Sequence, residues 1–528
     1  MKNILLFLLG SFVTVSCGGI KFLGTPIPEI KRELQKKAPL TEVEKQNWHL
    51  LDLQKDSLPG MSVVRAHEEL IKDRKGEKVV VAVIDSGIFI EHPFLSSLLW
   101  VNPDEIPGNG IDDDQNGYVD DIHGWNFLGD SDKENLEHIR LLRNEPEGTE
   151  AHTKYTKEME NGIKDAKEQM GEISFLIQEF AKTDSLLTAA LSKKEYTLEE
   201  AKAVANNSFK LFQAVNMLEF FEENDITLSK LTRYMEDLTT QVEAHHNLDF
   251  EGRYVVGDDP NDINDRNYGN ANVIGLNIKS TLHGTHVAGL IAGVFRGSMT
   301  RQKDVENLKI MALRTIPDGD EYDKDVALAI RYAADNGASI INMSFGKNHS
   351  PHTEWVSDAL RYAAEKDVLI VNAAGNSGAN VNPGERKSFV TDFIEGKEIV
   401  PNFLSIGATT ASYDKDQLAS FSNYGTVNVD AFAPGEAIWS SVPETDFEFN
   451  DGTSMAAPNA SGVAAVIRSF FPKLSAIQVK QILMESGVPM HNPVFVEKKE
   501  EYFHPKQISQ TGKMVNLYNA LLYASSKK

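Results

Sequence analysis

The hydrophobic positions of the chain follow two patterns, and each predicts a different kind of structure. Short runs rich in Val, Ile and Ala, such as Val79–Asp85 and 368–374, are apolar at nearly every position. Such a run predicts a strand buried on both faces of a parallel sheet. Between these runs, apolar residues recur at spacings of three and four, which predicts amphipathic helices. The alternation predicts an α/β fold with helices on both faces of the sheet.

The predicted elements cover most of the chain. Strands are expected at 79–85, 308–316, 339–344, 368–374, 403–408 and 427–432. Helices are expected at 29–37, 62–72, 323–336, 354–366, 454–471, 475–486 and 516–524, with a short β excursion after 488.

The stretch 131–245 interrupts this alternation with helical periodicity alone. Apolar residues from Tyr155 to Phe180 recur at helical spacing, and Thr197 with Glu200 forms a capping-box pattern that opens a second helix. A third helix carries apolar residues on one face from Leu228 to Val242. The pattern predicts an antiparallel hairpin or small bundle. A packing insertion is favoured here over a dedicated partner-binding module.

These patterns divide the chain into segments. The expected divisions are a signal-type segment at 1–17, a tether at 18–61, a main domain at 62–130 and 246–487, the helical insertion at 131–245, and an extension at 488–528 packed on the main domain.

Composition narrows the class of partners. The chain has 528 residues, of which 41% are hydrophobic and 25% charged, and its net charge is −24. A globular balance of this kind leaves ample core, and the acidic surface argues against nucleic acid or an anionic membrane as a partner.

The first seventeen residues predict export. Lys2 precedes an apolar run at 4–15 that is too short for a stable anchor, and small Ser16 precedes Cys17. The pattern resembles a bacterial lipoprotein signal, in which Cys17 would become the lipidated first residue; a plain secretory signal is the alternative. The expected location is the cell envelope, periplasmic or surface-facing, or otherwise the medium. Cys17 is the one cysteine, so no intramolecular disulfide can form.

Three stretches carry candidate chemistry. Asp85 ends a predicted strand, where open α/β sheets place their ligands, although a turn aspartate before Gly87 fits too. Ser454 stands at a predicted helix start, where backbone N–H groups favour a developing negative charge; capping is the simpler role. His283 and His286 could bind zinc, but no third ligand of the HExxH type follows.

Four motifs together resemble the subtilisin-like serine proteases (subtilases, peptidase S8 type). They are Val83-Ile-Asp85-Ser-Gly87, His283-Gly-Thr-His-Val-Ala-Gly289, Ala374-Gly-Asn376-Ser-Gly378 and Gly452-Thr-Ser454-Met-Ala-Ala-Pro458. The order Asp, His, Ser is that of subtilisin. With its N-terminal segment, the chain is similar to lipoprotein subtilases of the Bacteroidetes type.

The resemblance implies a fold, a mechanism and a substrate site. The fold would be a subtilisin-like three-layer sandwich with a mainly parallel sheet, plus the helical insertion. Ser454 would be the nucleophile, His283 the general base, and Asp85 the residue that orients the imidazole. Asn376 and the N–H of Ser454 would stabilise the oxyanion. The segments expected to bind substrate are Ser344, Phe345 and Gly346, and Ala373, Ala374 and Gly375.

The expected function is therefore a serine endopeptidase with an acyl-enzyme intermediate and a polypeptide substrate. It would contact the membrane only through the N-terminal lipid, bind no nucleic acid, and need no cofactor for its chemistry. An inactive or gated scaffold that binds a partner protein through the insertion is the alternative.

An acidic loop at 109–121 predicts a structural calcium ion. Its alternating oxygen side chains followed by Gly117 match the first half of a calcium loop. The expected ligands are Asp112, Asp114, Asn116, the carbonyl of Tyr118, and Asp120 or Asp121. His123 stands at the twelfth position in place of a bidentate Glu, so the loop is not an EF-hand. A solvated acidic turn is the alternative.

Overall fold

The structure is a computed structural model that describes residues 20–30, 33–34, 36–72, 74–224, 226–300, 305–386 and 388–527. The predicted signal-type segment at 1–17, with Cys17, lies outside the described residues. The strands are β1 (Val79–Asp85), β2 (Gly124–Asn126), β3 (Leu308–Arg314), β4 (Ile340–Met343), β5 (Leu369–Ala373), β6 (Phe393–Ile394), β7 (Lys397–Glu398), β8 (Phe403–Thr409), β9 (Ala431–Pro434), β10 (Ile438–Val442), β11 (Asp446–Asn450), β12 (Val488–Pro489), β13 (Val494–Val496), β14 (Glu501–Phe503) and β15 (Lys513–Met514).

The helices match most of the predicted positions. They are α1 (Glu42–Asn47), α2 (Val63–Ala66), α3 (Glu137–Asn144), α4 (Glu150–Leu191), α5 (Leu198–Val204), α6 (Phe209–Glu223), α7 (Leu228–Thr240), α8 (Leu282–Arg296), α9 (Asp323–Asp335), α10 (Thr353–Glu365), α11 (Thr453–Phe470), α12 (Ala476–Ser486) and α13 (Leu517–Ser526).

A nine-stranded sheet forms the centre of the main domain, in the order β12-β15-β9-β8-β5-β4-β1-β3-β2. Its paired strands run parallel except β12 and β15, which are antiparallel. Alternate residues of β1 enter two different cores: Val81 and Val83 pack with α8 and α11, whereas Ala82 and Ile84 pack with α9 and α10. The sheet is thus covered on both faces, which confirms the predicted three-layer α/β sandwich.

Helices α8 and α11 pack against each other on one face of the sheet. Gly462 permits this contact, since a Cβ there would lie 2.7 Å from Cβ of Val294. Small residues along α11 bring the two backbones close, so the ends of both helices are held in fixed positions.

The insertion forms the predicted helical bundle, with α4 packed against α6 and α7. Thr197 and Glu200 make both hydrogen bonds of the predicted capping box at the start of α5. Two small clusters hold the bundle together, one around Ala166, Ile173, Leu231 and Leu238, the other around Leu187, Ala201, Ala214 and Val215. Helix α3, at the base of the insertion, was not predicted.

The N-terminal segment and the tail are integrated more deeply than predicted. Phe22, Trp48 and Leu50 are buried in the main core, so these side chains anchor the expected tether on the main domain. The helix expected at 29–37 is wrong for the described residues there, which are not helical; α1 begins after Thr41, which caps it with Glu44. The tail adds β12 and β15 to the main sheet. Among the described helices, none is both long and apolar enough to cross a membrane.

Candidate active site

Asp85 and His283 meet at the carboxyl end of β1. Nδ1 of His283 lies 2.7 Å from Oδ1 of Asp85, which also accepts the N–H of Ser86 at 2.8 Å. The contact depends on Gly284, because a Cβ there would lie 2.1 Å from the carbonyl oxygen of Gly87. A glycine after the histidine therefore allows α8 to approach the end of β1.

The negative charge of Asp85 stabilises the protonated form of the His283 imidazole. Burial lowers the pKa of His283, but the charge and hydrogen bond of Asp85 outweigh it, so the pKa is raised above its usual 6.5. Asp85 is only 2% exposed, whereas the His283 side chain is 39% exposed. The aspartate is thus shielded, and the imidazole keeps one face open to a ligand.

Ser454 stands in the first turn of α11, where backbone N–H groups have no acceptor within the helix. Its hydroxyl donates to the carbonyl of Ser344 at 3.0 Å, and the hydroxyl of Ser344 donates back to the carbonyl of Ser454 at 3.0 Å. This reciprocal pair ties the start of α11 to the end of β4, and no sequence pattern indicates it.

Asn376 is held beside the same helix start. Its Oδ1 accepts the N–H and the hydroxyl of Thr453, each at 2.8 Å. A backbone N–H can only donate, so the amide oxygen faces Thr453 and Nδ2 is left as the outward donor. Sequence reasoning missed Thr453, although its place next to the predicted nucleophile was a possible signal.

The two predicted substrate segments both border the start of α11. On one side, Gly346 is exposed, and a Cβ there would lie 2.7 Å from the carbonyl oxygen of Phe389. On the other side, Gly375 has a φ of +97° and donates its N–H to the hydroxyl of Thr453 at 3.0 Å. Ser344, Phe345, Ala373 and Ala374 complete the two segments, at the carboxyl ends of β4 and β5.

His286 is placed away from the site that His283 occupies. It is fully buried, and its Nε2 lies 3.0 Å from the carbonyl oxygen of Ile438 and 3.2 Å from that of Glu448. Burial lowers its pKa to about 3. His286 therefore anchors the β10–β11 hairpin as a neutral ring, which leaves no role for the zinc interpretation.

The acidic loop brings together part of the predicted set of oxygens, Asp114 and Asp121, while other predicted residues bond within the loop. Asp112 accepts the N–H groups of Asn116 and Gly117, and Asp120 accepts those of 108–110. The ring of Tyr118 packs edge-on against Trp125 and Tyr332. These side chains shape the loop.

The carboxylates that converge are Glu105, Asp114 and Asp121, whose oxygens lie within 4.8 Å of one another. Asn116 bridges two of them, since its Nδ2 lies 3.0 Å from both Asp114 and Asp121. Oε2 of Glu105 is buried with no hydrogen-bond partner among the described residues. Like charges packed this closely favour a cation. Glu105 was missed because it precedes the loop.

Comparison with known proteins gives a family-level match. A model described as "Subtilase family" matches residues 76–502, about four fifths of the chain. The match includes the insertion and all four motifs.

Curated relatives are similar over a smaller part. A thermophilic serine proteinase of Bacillus sp. (strain AK1) is 34% identical over 248 residues, 46% of this chain and 54% of its own. Alkaline elastase YaB of Bacillus sp. (strain YaB) is 31% identical over 40% of this chain and 51% of its own. Thermitase of Thermoactinomyces vulgaris is 35% identical over 35% of this chain and 61% of its own. The chain thus spans about half the length of the curated relatives it matches.

Proposed function

Because the chain belongs to the subtilase family, we propose that it is a serine endopeptidase that hydrolyses peptide bonds through Asp85, His283 and Ser454. The observation that carries the proposal is the 2.7 Å contact of His283 with Asp85, which leaves Nε2 of the imidazole free of that bond. Ser454 stands in the first turn of a neighbouring helix, and Asn376 presents an amide beside it.

The chemistry follows from these positions. The hydroxyl of Ser454 exchanges its bond to Ser344 for one to His283, gives its proton to Nε2, and attacks the substrate carbonyl. The developing oxyanion takes hydrogen bonds from Nδ2 of Asn376 and the N–H of Ser454. His283 then passes the proton to the leaving amine, and water repeats the sequence on the acyl-enzyme.

Labelling with a fluorophosphonate probe tests this proposal. We expect the wild-type protein to react and Ser454→Ala to remain unlabelled, because the probe forms a bond only with an activated serine. A wild-type protein that stays unlabelled while folded would contradict the proposal. The alternative would then be an inactive or gated scaffold that binds a partner protein through the insertion.

We also propose that the protein is exported and lipid-anchored through Cys17. The support is the short apolar run at 4–15 followed by Ser16 and the single cysteine. Metabolic labelling with an alkynyl fatty acid should mark the wild type and not Cys17→Ser. A secreted but unlabelled wild type would favour the plain secretory signal instead.

A calcium ion held by Glu105, Asp114 and Asp121 completes the proposal. Its role would be structural, since it would neutralise three carboxylates that the fold brings together. Titration calorimetry should detect binding in the wild type and its loss in Glu105→Gln, whereas Asp112→Asn, at a residue that caps backbone N–H groups, should still bind. No heat from the wild type, and equal melting temperatures in calcium and in EDTA, would overturn this assignment.

A further inference from the structure

The insertion joins the main domain through a short extended segment that pairs with the backbone after β3. The N–H of Asp318 donates to the carbonyl of Asp132 at 2.9 Å, and the N–H of Glu134 donates to the carbonyl of Asp318 at 2.9 Å. Two residues further on, the N–H of Asp320 donates to the carbonyl of Asn135 at 3.2 Å. One backbone edge of 318–320 is therefore occupied by the insertion itself.

A buried ionic cluster continues this contact at the start of α3. The ammonium of Lys347 lies 2.8 Å from Oε2 of Glu137 and 2.9 Å from Oδ1 of Asp323. It also donates to the carbonyl of Glu321 at 2.8 Å, and its side chain is only 2% exposed. Burial raises the pKa of Glu137, but Arg140 and Lys347 outweigh it and hold the pKa at about 2. Glu137 is therefore charged at neutral pH, so Lys347 has an ionised partner.

Arg140 donates hydrogen bonds to backbone carbonyl groups of the same segment. Its Nη1 donates to the carbonyl of Asp320 at 2.8 Å and its Nη2 to that of Glu321 at 3.1 Å, while the guanidinium also pairs with Glu137. A peptide that adds to a sheet edge uses backbone groups of this kind. The carbonyl groups of Asp320 and Glu321 are already bonded.

The distance between Ser454 and the ionic cluster limits how many substrate residues can bind between them. The Ser454 hydroxyl contacts the carbonyl of Ser344, and Lys347 follows three residues later. Extended backbone rises about 3.3 Å per residue, so Lys347 lies at most roughly 10 Å from Ser344 along the segment. Beside it, a cavity of about 10 Å³ is lined by residues that include Glu321, Lys347 and Phe389. Such a space holds at most one water.

We propose that the insertion base, residues 132–140, forms the end wall of the substrate cleft, so that the cleft binds about three residues of a peptide on the N-terminal side of the bond that is cut. A longer substrate must turn out of the cleft at Lys347. This inference rests on the proposed function, and it specifies how many substrate residues the same site binds.

The wall is fixed rather than a displaceable plug. Glu137, Arg140 and Lys347 are each less than 9% exposed, and removing one partner from a buried ion pair leaves an uncompensated charge. A substrate would have to break several such contacts at once to extend past them. We therefore expect a constant limit on length and no lag before activity.

A length series of peptidyl boronic acids tests the proposal on the intact wild-type protein. Inhibitors with one to five residues compete with the fluorophosphonate probe for Ser454, so the readout requires no known substrate. We expect the affinity to rise up to the third residue and to change less than threefold with the fourth and fifth. A gain of tenfold or more from the fourth or fifth residue would overturn the proposal. A protein that the probe never labels would refute the proposed function instead.

A matched pair of variants locates the wall. Glu137→Gln removes the charge that faces Lys347, and Glu172→Gln makes the same change on an exposed part of α4. We expect the four-residue inhibitor to gain at least threefold over the three-residue one in Glu137→Gln and to be unchanged in Glu172→Gln. The same ratio in both variants would place the end of the cleft elsewhere. Should Glu137→Gln fail to fold, the wild-type series decides alone.

Discussion

Helices α11 and α4 differ in how they are packed. In α11, 16 of 18 residues are buried, because the helix lies between the sheet and its neighbouring helices. In α4, four of 42 residues are buried, because the helix has neighbours along one stripe only. Contacts on all sides fix a side chain within the narrow limits that catalysis requires, whereas contacts on one side fix only the axis of a helix. This explains why the candidate catalytic residues lie around α11 and none lies in the bundle.

The insertion base joins the two regions and resembles neither. It buries charged side chains where α11 buries small apolar ones, and it holds them by ion pairs and bonds to carbonyl groups. Ion pairs fix direction and partner, so they suit a boundary between a rigid domain and a loosely packed one.

The sharpest test of the rigid region is Asp85→Asn, for which we expect a loss of about 10⁴-fold in kcat with little change in folding, because the amide no longer holds the reactive tautomer of His283. Asp358→Asn on exposed α10 should leave kcat unchanged. Steady-state kinetics and thermal melting make the comparison. A small loss in Asp85→Asn would show that the pair does not serve catalysis.

The pH dependence of activity tests the same Asp85–His283 pair through the direction in which the profile shifts. In the proposed mechanism the neutral imidazole of His283 is the base, so activity should rise as the pH passes its pKa. Asp85 raises that pKa above 6.5, and the rising limb of wild-type kcat/KM should lie above this value. In Asp85→Asn the limb should move to lower pH. A limb that stays in place would contradict the coupling.

The next effect in size is Asn376→Ala. We expect kcat to fall about 10²- to 10³-fold with KM nearly unchanged, since in the proposed mechanism Nδ2 of Asn376 bonds the oxyanion and not the ground-state substrate; this magnitude is the one found for the corresponding type of donor in subtilisin. Thr453→Ser, which keeps the hydroxyl bonded to Oδ1, should retain most activity. If KM rises instead, Asn376 binds the ground state.

Much of this architecture could be predicted because it rests on local periodicity. The strands around the site were placed within a few residues, apart from β9, and the ends of β1 and α8 bring Asp85 and His283 into contact. The helix α3 was missed because buried charges such as Glu137 and Arg140 have the polar pattern of a surface. Thr453 was missed because its partner Asn376 is distant in sequence, and Glu105 because it lies ahead of the loop whose spacing was analysed.

A matched pair of core substitutions compares the regions in stability. Leu290 in α8 and Leu238 in α7 are both fully buried, and each Leu→Ala change should cost about 2 to 5 kcal/mol where it occurs. We expect Leu290→Ala to lower the main unfolding transition and to slow probe labelling. Leu238→Ala should instead expose amides of 150–240 to hydrogen exchange while labelling stays within twofold. Equal effects on both readouts would mean that the insertion and the main domain unfold as one unit.

The smallest effect is expected at the distal end of the insertion. Phe209 opens α6 with 73% of its surface exposed, whereas Phe221 near the other end of the same helix is 2% exposed. Phe209→Ser should change the free energy of unfolding by no more than about 0.5 kcal/mol, and Phe221→Ser by several times as much. Denaturant melts of the intact protein make the measurement. A large cost at Phe209 would mean that this ring is covered in solution, and that the bundle is not packed along one stripe alone.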